Sequence, residues 1–284
     1  MESNIAVLMT CHNRAEITLS CLDALYAQKN IDDVNIKVFL VDDGSTDGTA
    51  ELVREKYPDV KVINGDGSLF WNRGMHRAFD EALKVGFDYY LWLNDDTTLY
   101  DDALDVLLRT HQTLCETETP ASIVIASTKD PVSGEFTYGG YRQSSRLNPL
   151  GLSLVPAEDK VIPCDTFCGN VVLIPKEVTD IVGNMDPIYK HRWGDVDYGM
   201  RAKSLGCKNW IMPGYHAECD ANPKAERWRD KDLSLSERLK DLHSIKGHGK
   251  EDWDIYVRRH GGLLWPLMWV RPYLRIIFDT LNPF

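Results

Sequence analysis

Two adjacent carboxylates, Asp95 and Asp96, follow the apolar run Leu91-Trp92-Leu93, with Asn94 between the run and the pair. Such a run is typical of a buried strand, so the two aspartates are expected at the strand's end, where the chain turns. Ionised aspartates are rarely buried unless they are paired or bind a metal. Their oxygen atoms suit hard divalent cations. We therefore predict that Asp96, with Asp95 beside it, binds Mg²⁺ or Mn²⁺.

Polar clusters follow three other apolar runs in the first hundred residues. These clusters are Asn13-Arg14 after residues 5–9, Asp42-Asp43 after residues 38–41, and Gly65-Asp66-Gly67 after residues 60–63. Because helix-like patterns alternate with the apolar runs, the sequence predicts an α/β fold, a mainly parallel sheet flanked by helices. Ligands of such sheets bind at the carboxyl ends of the strands. The polar clusters are therefore expected to converge on one site.

The later part of the chain is less regular. Residues 123–126, 171–174 and 208–212 are apolar runs that predict further strands. Between them the pattern indicates long loops over the edge of the sheet, where substrate loops often lie. From residue 222 the chain becomes strongly charged and then apolar, which indicates a helical C-terminal extension.

Composition limits the class of partner. The 284 residues carry a net charge of −11, which argues against nucleic acid as the main partner. The seven cysteines are an odd number, and no signal peptide is expected at the start of the sequence, so a reduced cytoplasmic setting fits best. Cys164 and Cys168 lack a second nearby pair, so we expect apolar packing there rather than a zinc site.

Residues 263–278 form an apolar run that two prolines and two arginines interrupt. The run is shorter than the ~20 apolar residues that span a bilayer. A helix lying on the membrane surface, with Trp and Arg at the interface, is one interpretation. The alternatives are packing on the chain's own domain or on a second copy in a homo-oligomer.

Four segments in order make the chain resemble the family 2 glycosyltransferases with the GT-A fold, over about residues 4–220. They are Thr10-Cys11-His12-Asn13-Arg14 after its apolar strand, Val41-Asp42-Asp43-Gly44-Ser45-Thr46-Asp47, Asn94-Asp95-Asp96, and Gly194-Asp195-Val196-Asp197-Tyr198-Gly199-Met200-Arg201. The resemblance implies inverting transfer of a sugar from a nucleotide diphosphate donor to an acceptor hydroxyl. It also implies a divalent metal on Asp96, with Asp95 beside it, to neutralise the leaving diphosphate.

Inversion requires a base that accepts the proton of the attacking hydroxyl. By the resemblance, this base is the second residue of a Glu-Asp pair. The pair reads Gly194-Asp195 here, so Asp195 is the expected base and the first carboxylate is missing. Asp197 is the alternative base. A helix N-cap or an ion pair with Arg201 would be a structural role for Asp195 instead.

Recognition of the nucleotide is carried over in the same way. Asp42 or Asp43 would accept a hydrogen bond from a pyrimidine ring, and Thr10, Asn13 and Arg14 would line the base and ribose. The Asp42 segment is also an ordinary turn and helix start, and both roles are compatible because a helix N-terminus favours nearby phosphate.

Some positions depart from the family pattern. Many members have an Arg-Asn pair where this chain has Trp71-Asn72. Either Trp71 would stack on the base or the sugar, or Arg73 would take over the role of the cation; the structural alternative is that Trp71 packs in the core. A late histidine often completes the metal site. His216 is our choice, although the usual spacing falls nearer Cys219, because imidazole suits Mn²⁺ better than a thiol.

These expectations give three regions: residues 1–100 as the nucleotide-sugar-binding half, 101–221 as the acceptor-binding half, and 222–284 as the extension. The predicted enzyme uses a UDP- or dTDP-sugar. It would act in surface polysaccharide or lipid-linked glycan synthesis, in the cytoplasm or peripherally on the inner face of the membrane. The alternatives are an inactive nucleotide-sugar-binding subunit, or a nucleotidyltransferase. A phospho-receiver domain shares the acidic strand end but would explain neither Asp95-Asp96 nor Asp195.

Overall fold

A computed structural model describes residues 3–145, 148–221 and 227–281. Its strands, in chain order, are β1 Ser3–Cys11, β2 Val34–Asp42, β3 Lys61–Asn64, β4 Tyr89–Leu93, β5 Thr98–Leu99, β6 Ser122–Lys129, β7 Gly140–Ser145, β8 Asn148–Val155, β9 Ile162–Cys164, β10 Thr166–Phe167, β11 Val171–Pro175 and β12 Lys208–Glu218. Its α-helices are α1 Ala15–Tyr26, α2 Thr49–Lys56, α3 Phe70–Leu83, α4 Ala103–Thr117, α5 Lys176–Val182, α6 Gly194–Ser204, α7 Leu235–His243, α8 Lys250–His260 and α9 Trp265–Leu281.

The main sheet has the order β3-β2-β1-β4-β11-β6-β12-β5, with β9 paired to β12. Neighbours among β3, β2, β1 and β4 are parallel, as are β6 and β12, whereas β11 runs antiparallel to both of its neighbours. The expected α/β class with a mainly parallel sheet is therefore confirmed. Each apolar run assigned above to a strand lies in one, except that Val60 directly precedes β3.

The side chains of β1 alternate between the two faces of the sheet, as a strand covered on both sides requires. Ile5, Val7 and Met9 pack into the core on the α1 and α4 face, and Ala6 and Leu8 pack into the core on the α3 and α6 face. Both faces of the sheet are thus covered, and the polar residues that follow the strands are left for its edge.

The expectation of long loops in the middle of the chain is wrong in one place. β7 and β8 form an antiparallel hairpin, and with β10 they make a second, three-stranded sheet. Most of their residues are partly or fully exposed, so no buried apolar alternation marked them in the sequence.

The C-terminal helices pack against the region around α6. Tyr256 and Trp253 of α8 share an apolar cluster with Tyr189, Val196 and Met200. Ile276 of α9 packs with Trp228 and Leu242 of the preceding elements. Within the described part of the chain, no helix combines the length and the apolar character that crossing a bilayer requires.

Candidate active site

The loops that follow β1 and β2 interlock at the carboxyl edge of the sheet. Asn13 donates its backbone N–H to Ser45 Oγ at 2.9 Å, and its side-chain Oδ1 accepts the backbone N–H of Thr46 at 2.7 Å. The His12 ring nitrogen Nδ1 lies 2.6 Å from the Asp43 carbonyl oxygen. Asn13 has a positive φ of 51°, a conformation that asparagine tolerates better than most residues. The two segments therefore form one rigid wall.

Asp42 and Asp43 are both almost fully buried in this wall. The Asp43 carboxylate accepts backbone N–H groups of Gly67 and Phe70, each at 2.9 Å, which fixes the loop before α3. Asp42 Oδ1 accepts the N–H of Ser45 at 2.9 Å. Since each carboxylate oxygen has two acceptor sites, a nucleobase N–H could still bind to either residue.

Thr10 lies beneath the first turn of α3. A Cβ atom at Gly74 would come within 2.3 Å of Thr10 Oγ1, so the helix approaches β1 this closely only because residue 74 is glycine. Arg73 of the same turn donates from Nε to the Pro187 carbonyl at 3.0 Å. The structure thus brings Thr10 to the wall and directs Arg73 toward the loop before α6.

The two carboxylates that follow β4, Asp95 and Asp96, both form an ion pair with Arg14. Arg14 Nη1 lies 3.1 Å from Asp95 Oδ1 and 2.7 Å from Asp96 Oδ2. Asp95 is 5% exposed, and its burial raises its pKa to about 7, against the opposing effect of the Arg14 charge. Asp96 is more accessible, with 37% of its side chain exposed. The accessible carboxylate and the guanidinium therefore face the same space.

Of the two residues considered as a further metal ligand, Cys219 contacts Asp96, whereas His216 is bonded elsewhere. His216 has its ring nitrogens at Asp102 Oδ1 (2.9 Å) and at the Pro213 carbonyl oxygen (3.1 Å). Cys219 Sγ lies 3.7 Å from Asp96 Oδ1. Within residues 3–145, 148–221 and 227–281, no three His, Cys, Asp or Glu side chains group as a metal centre. Asp95 and Asp96 still fit Mg²⁺ or Mn²⁺, because such ions are often held by one or two carboxylates and substrate phosphates.

Asp195 is the second residue of α6. Its Oδ2 accepts the backbone N–H of Gly169 at 3.0 Å, and its Oδ1 accepts the N–H of Val196 at 2.8 Å. Burial raises the pKa of Asp195, and these two bonds together with the Arg192 charge only partly oppose the rise. A raised pKa makes a carboxylate a better proton acceptor near neutral pH.

Asp197, the alternative base, has a different environment. It is fully buried and accepts hydrogen bonds from Tyr189 Oη (3.2 Å), Arg201 Nε (2.8 Å), Arg259 Nη1 (2.9 Å) and His260 Nε2 (2.8 Å). Although burial alone would raise its pKa, His260 and Arg201 lower it to about 2. A carboxylate bound by four donors is suited to joining α6 to α8, and the geometry favours Asp195 as the base.

Trp71 lies between the two acidic centres. Its indole Nε1 donates to Asn94 Oδ1 at 2.7 Å, directly before the Asp95-Asp96 pair. The far edge of the ring covers Gly169, where a Cβ atom would come within 2.6 Å of the ring and 3.3 Å of Asp195 Cβ. The Asn94 backbone N–H also donates to the Asn170 carbonyl at 3.0 Å. The indole of Trp71 and the backbone of residues 169 and 170 therefore connect Asp195 with the end of β4, after which Asp95 and Asp96 follow.

A side chain at position 194 would clash with its surroundings, which explains the glycine there. A Cβ atom there would lie 1.6 Å from Asn72 Oδ1. Asn72 is fully buried and its Nδ2 donates to the carbonyls of Asp186 and Tyr189 at 2.8 and 2.9 Å. The space of the expected glutamate is thus occupied by Asn72, a residue whose role the sequence reasoning did not identify.

A cleft of about 610 Å³ opens beside Asp96. Its walls come from α1, from the ends of β5 and β12, and from the loop before α8; they are Arg14, Ile17, Ser20, Cys21, Asp96, Thr98, Pro131, Glu218, Cys219, Asp220, Ala221 and Lys246. Lys246 was not predicted as a site residue, and no local pattern in the sequence marks it.

Comparisons with known proteins identify the family of the chain. A family model described as "Glycosyl transferase family 2" matches residues 6–174. A poly-beta-1,6-N-acetyl-D-glucosamine synthase of Staphylococcus epidermidis is 31% identical over 102 residues, 35% of this chain and 23% of that protein. The synthase of the same name from Staphylococcus aureus (strain COL) is 33% identical over 103 residues, again 35% and 23% of the two chains. The matched stretch is thus less than a quarter of these relatives' length.

Among solved structures, the mannosyltransferase PcManGT from Pyrobaculum calidifontis, in complex with GDP-Man and Mn²⁺, has a TM-score of 0.53. The similarity covers 99% of this chain and 76% of that one, at 16% sequence identity, and it concerns the fold. Because the family model matches more than half of the sequence, the chain belongs to glycosyl transferase family 2. The resemblance stated from the four segments is confirmed, and the protein is by class a glycosyltransferase.

Proposed function

We propose that this chain is a metal-dependent, inverting glycosyltransferase that transfers a sugar from a UDP- or dTDP-sugar to an acceptor hydroxyl. The observation that carries the proposal is the arrangement around Trp71: its indole joins Asn94, beside the Asp95-Asp96 pair, to Gly169, which donates to Asp195. An inverting reaction needs these two centres on opposite sides of one sugar.

Asp96 and Asp95 would hold the metal, with His216 or Cys219 as a further ligand after a local change. When bound, Mg²⁺ or Mn²⁺ would neutralise the charge that gathers on the leaving diphosphate. The wall of Thr10, Asn13 and Arg14 would line the nucleoside, and Asp42 or Asp43 would accept its ring N–H.

Asp195 would act as the base. The acceptor oxygen forms a bond to the anomeric carbon while the bond from that carbon to the diphosphate oxygen breaks. The hydroxyl proton passes to the Asp195 carboxylate, and the electron pair of the broken bond leaves with the nucleoside diphosphate. Gly169 and Val196 fix the carboxylate by their N–H groups, so its orientation is set before substrate binds.

We propose further that the acceptor belongs to a surface polysaccharide or a lipid-linked glycan, and that residues 263–278 contact the membrane surface. The names of the relatives, synthases of poly-N-acetyl-glucosamine, support the first part. Exposed side chains of α9 support the second: Leu267, Leu274, Ile277 and Phe278 are 63%, 59%, 48% and 66% exposed. Arginines on the same helix suit an anionic lipid surface.

The test measures release of nucleoside diphosphate from UDP-, dTDP- and GDP-sugars, with and without Mn²⁺. We expect release from one donor only with metal, and a loss of about 10²-fold or more in Asp195→Asn, since a general base contributes at least this factor. Donor binding, followed as a rise in melting temperature, should persist in this variant.

Asp180→Asn is the matched control, because Asp180 is an exposed carboxylate on α5 that pairs with Lys176. Full turnover in Asp195→Asn would refute the base assignment. Absence of both donor binding and turnover in the wild type would refute the proposed function as a whole.

A further inference from the structure

The cleft beside Asp96 receives one residue from the C-terminal extension. Lys246 lies in the loop between α7 and α8 and lines the same cleft as Arg14 and Asp96, although more than 140 residues separate it from either. The rest of the cleft includes the carboxylates of Glu218 and Asp220. The lining of the cleft is therefore mixed in charge: Arg14 is paired with Asp96, and Lys246 is a second cation lining the same cleft.

The backbone of this loop is firmly held. Arg192 Nη1 donates to the carbonyls of Lys246 and Gly247 at 3.3 and 3.1 Å. Trp193 Nε1 donates to the His248 carbonyl at 3.0 Å, and the Gly247 N–H donates to Ser244 Oγ at 2.9 Å. Arg192 and Trp193 directly precede α6, so the loop is fixed to the segment that carries Asp195.

Glycine is required where the loop turns. A Cβ atom at Gly247 would lie 2.0 Å from the Asp241 carbonyl oxygen, so no other residue fits without moving the backbone. Lys246 is exposed, whereas Gly247 and His248 on its C-terminal side are buried. The loop thus has a fixed backbone and presents a long cationic side chain at the cleft.

Arg14, Arg192 and Lys246 all act on one histidine. Burial, followed by the charges of Arg192, Lys246 and Arg14, lowers the pKa of His191 to about 4. His191 packs edge-on against Phe70, whose backbone N–H is bound by Asp43 in the proposed nucleoside wall. Lys246 and Arg14 are therefore both close enough to His191 for their charges to act on it.

From this arrangement we propose that Lys246, fixed through its loop by Arg192, binds the diphosphate of the nucleotide-sugar donor together with Arg14. The inference rests on the proposed function and adds to it a donor-binding residue from the C-terminal extension. Lysine binds phosphate as a point charge, and a charge-assisted hydrogen bond is stronger than a neutral one. The extension would then be part of the donor site.

The test compares ligands that differ by one phosphate. Binding of uridine, UMP and UDP is measured by calorimetry with Mn²⁺, for wild type and Lys246→Gln; the dTDP and GDP series replace it if one of these diphosphates binds the wild type better. We expect Lys246→Gln to weaken diphosphate binding by about tenfold, the size of one charge-assisted contact, and to change nucleoside binding less than twofold. Lys246→Arg should recover most of the loss because it keeps the charge.

Lys250→Gln is the matched control, since Lys250 is exposed at the start of α8 and does not line the cleft. An unchanged diphosphate affinity in Lys246→Gln, or an equal loss for all three ligands, would overturn the inference while leaving the proposed function intact. A wild type that binds none of the diphosphates would overturn both. Because Lys246 is exposed, we expect the variant to keep the wild-type melting temperature, which is measured in parallel.

Discussion

Two carboxylates in the first turn of α6 differ in what surrounds them. Asp195 accepts two backbone N–H groups and has a raised pKa, whereas Asp197 accepts four side-chain donors, three of them from basic residues, and has a pKa lowered to about 2. The proton acceptor proposed for Asp195 needs the first environment, and a group that joins helices, as Asp197 joins α6 to α8, needs the second.

This contrast predicts different stability changes. Asp197→Asn should lower the free energy of unfolding by about 3 kcal/mol, because it removes the buried negative charge that Arg201 and Arg259 share, although Arg259 keeps its ion pair with Asp186. Asp195→Asn should change it much less. Urea denaturation at neutral pH measures both.

The contribution of Asp197 to the free energy of unfolding should also depend on pH, and the direction of this dependence follows from its pKa. Its folded-state pKa of about 2 lies below its ordinary value of 3.8, so the ionised form stabilises the fold above the ordinary value. This contribution declines as the pH falls from the ordinary value toward about 2. The difference between wild type and Asp197→Asn should therefore shrink over that range. Equal losses for Asp195→Asn and Asp197→Asn, or a difference that grows in acid, would contradict the assignment.

At the scale of elements, the contact of α3 with the start of α6 decides which side chains the site can hold. Asn72 of α3 fills the space beside Gly194 and ties α3 to the loop before α6 through the carbonyls of Asp186 and Tyr189. The neighbouring Trp71 reaches Asn94 and covers Gly169. Asn72, which matches the family pattern, packs against Gly194, and Trp71, which departs from that pattern, packs against Gly169.

A double-mutant cycle tests the contact between Asn72 and Gly194. Gly194→Ala should lower the free energy of unfolding by about 1–3 kcal/mol, the cost of inserting a methyl group into a packed contact. Combined with Asn72→Ala, which removes the clashing amide, the added cost of Gly194→Ala should largely disappear. Thermal or urea unfolding of the four proteins gives the coupling energy. Additive losses would show that the two positions do not share this space.

At the scale of the whole molecule, the C-terminal extension has one surface packed against the rest of the protein and one exposed surface. Its inner surface, with Trp253 and Tyr256, packs against Tyr189 and Val196 near α6. Its outer surface leaves Leu274 and Phe278 of α9 exposed, beside Arg271 and Arg275. The inner surface holds the extension against the region around α6, and the outer surface is where we propose membrane contact.

Acidic substitutions on the outer surface test this contact. Leu274→Glu with Phe278→Glu should weaken sedimentation with anionic vesicles by about tenfold or more, because two apolar side chains no longer enter the interface and two negative charges are added. Nucleoside diphosphate release from a soluble donor should stay unchanged. Leu205→Glu is the matched control, since Leu205 is a similarly exposed leucine at the end of α6. Equal sedimentation of all variants would exclude a membrane role for α9.

Local apolar runs in the sequence predict β1 to β4, β6, β11 and β12 and the acidic residues that follow β2 and β4, but not the largely exposed β7–β8 hairpin. Residues 38–41 and 89–93 are continuous apolar runs followed by aspartates, and a local pattern of this kind is sufficient because burial on both faces of a sheet requires it. Only the tertiary structure separated Asp195 from Asp197, placed Asn72 against Gly194, directed His216 to Asp102 and brought Lys246 to the cleft. Each of these outcomes depends on which distant side chains fill the surrounding space. Packing and hydrogen bonding between segments decide which side chains these are, and the hydrophobic pattern within one segment does not predict them.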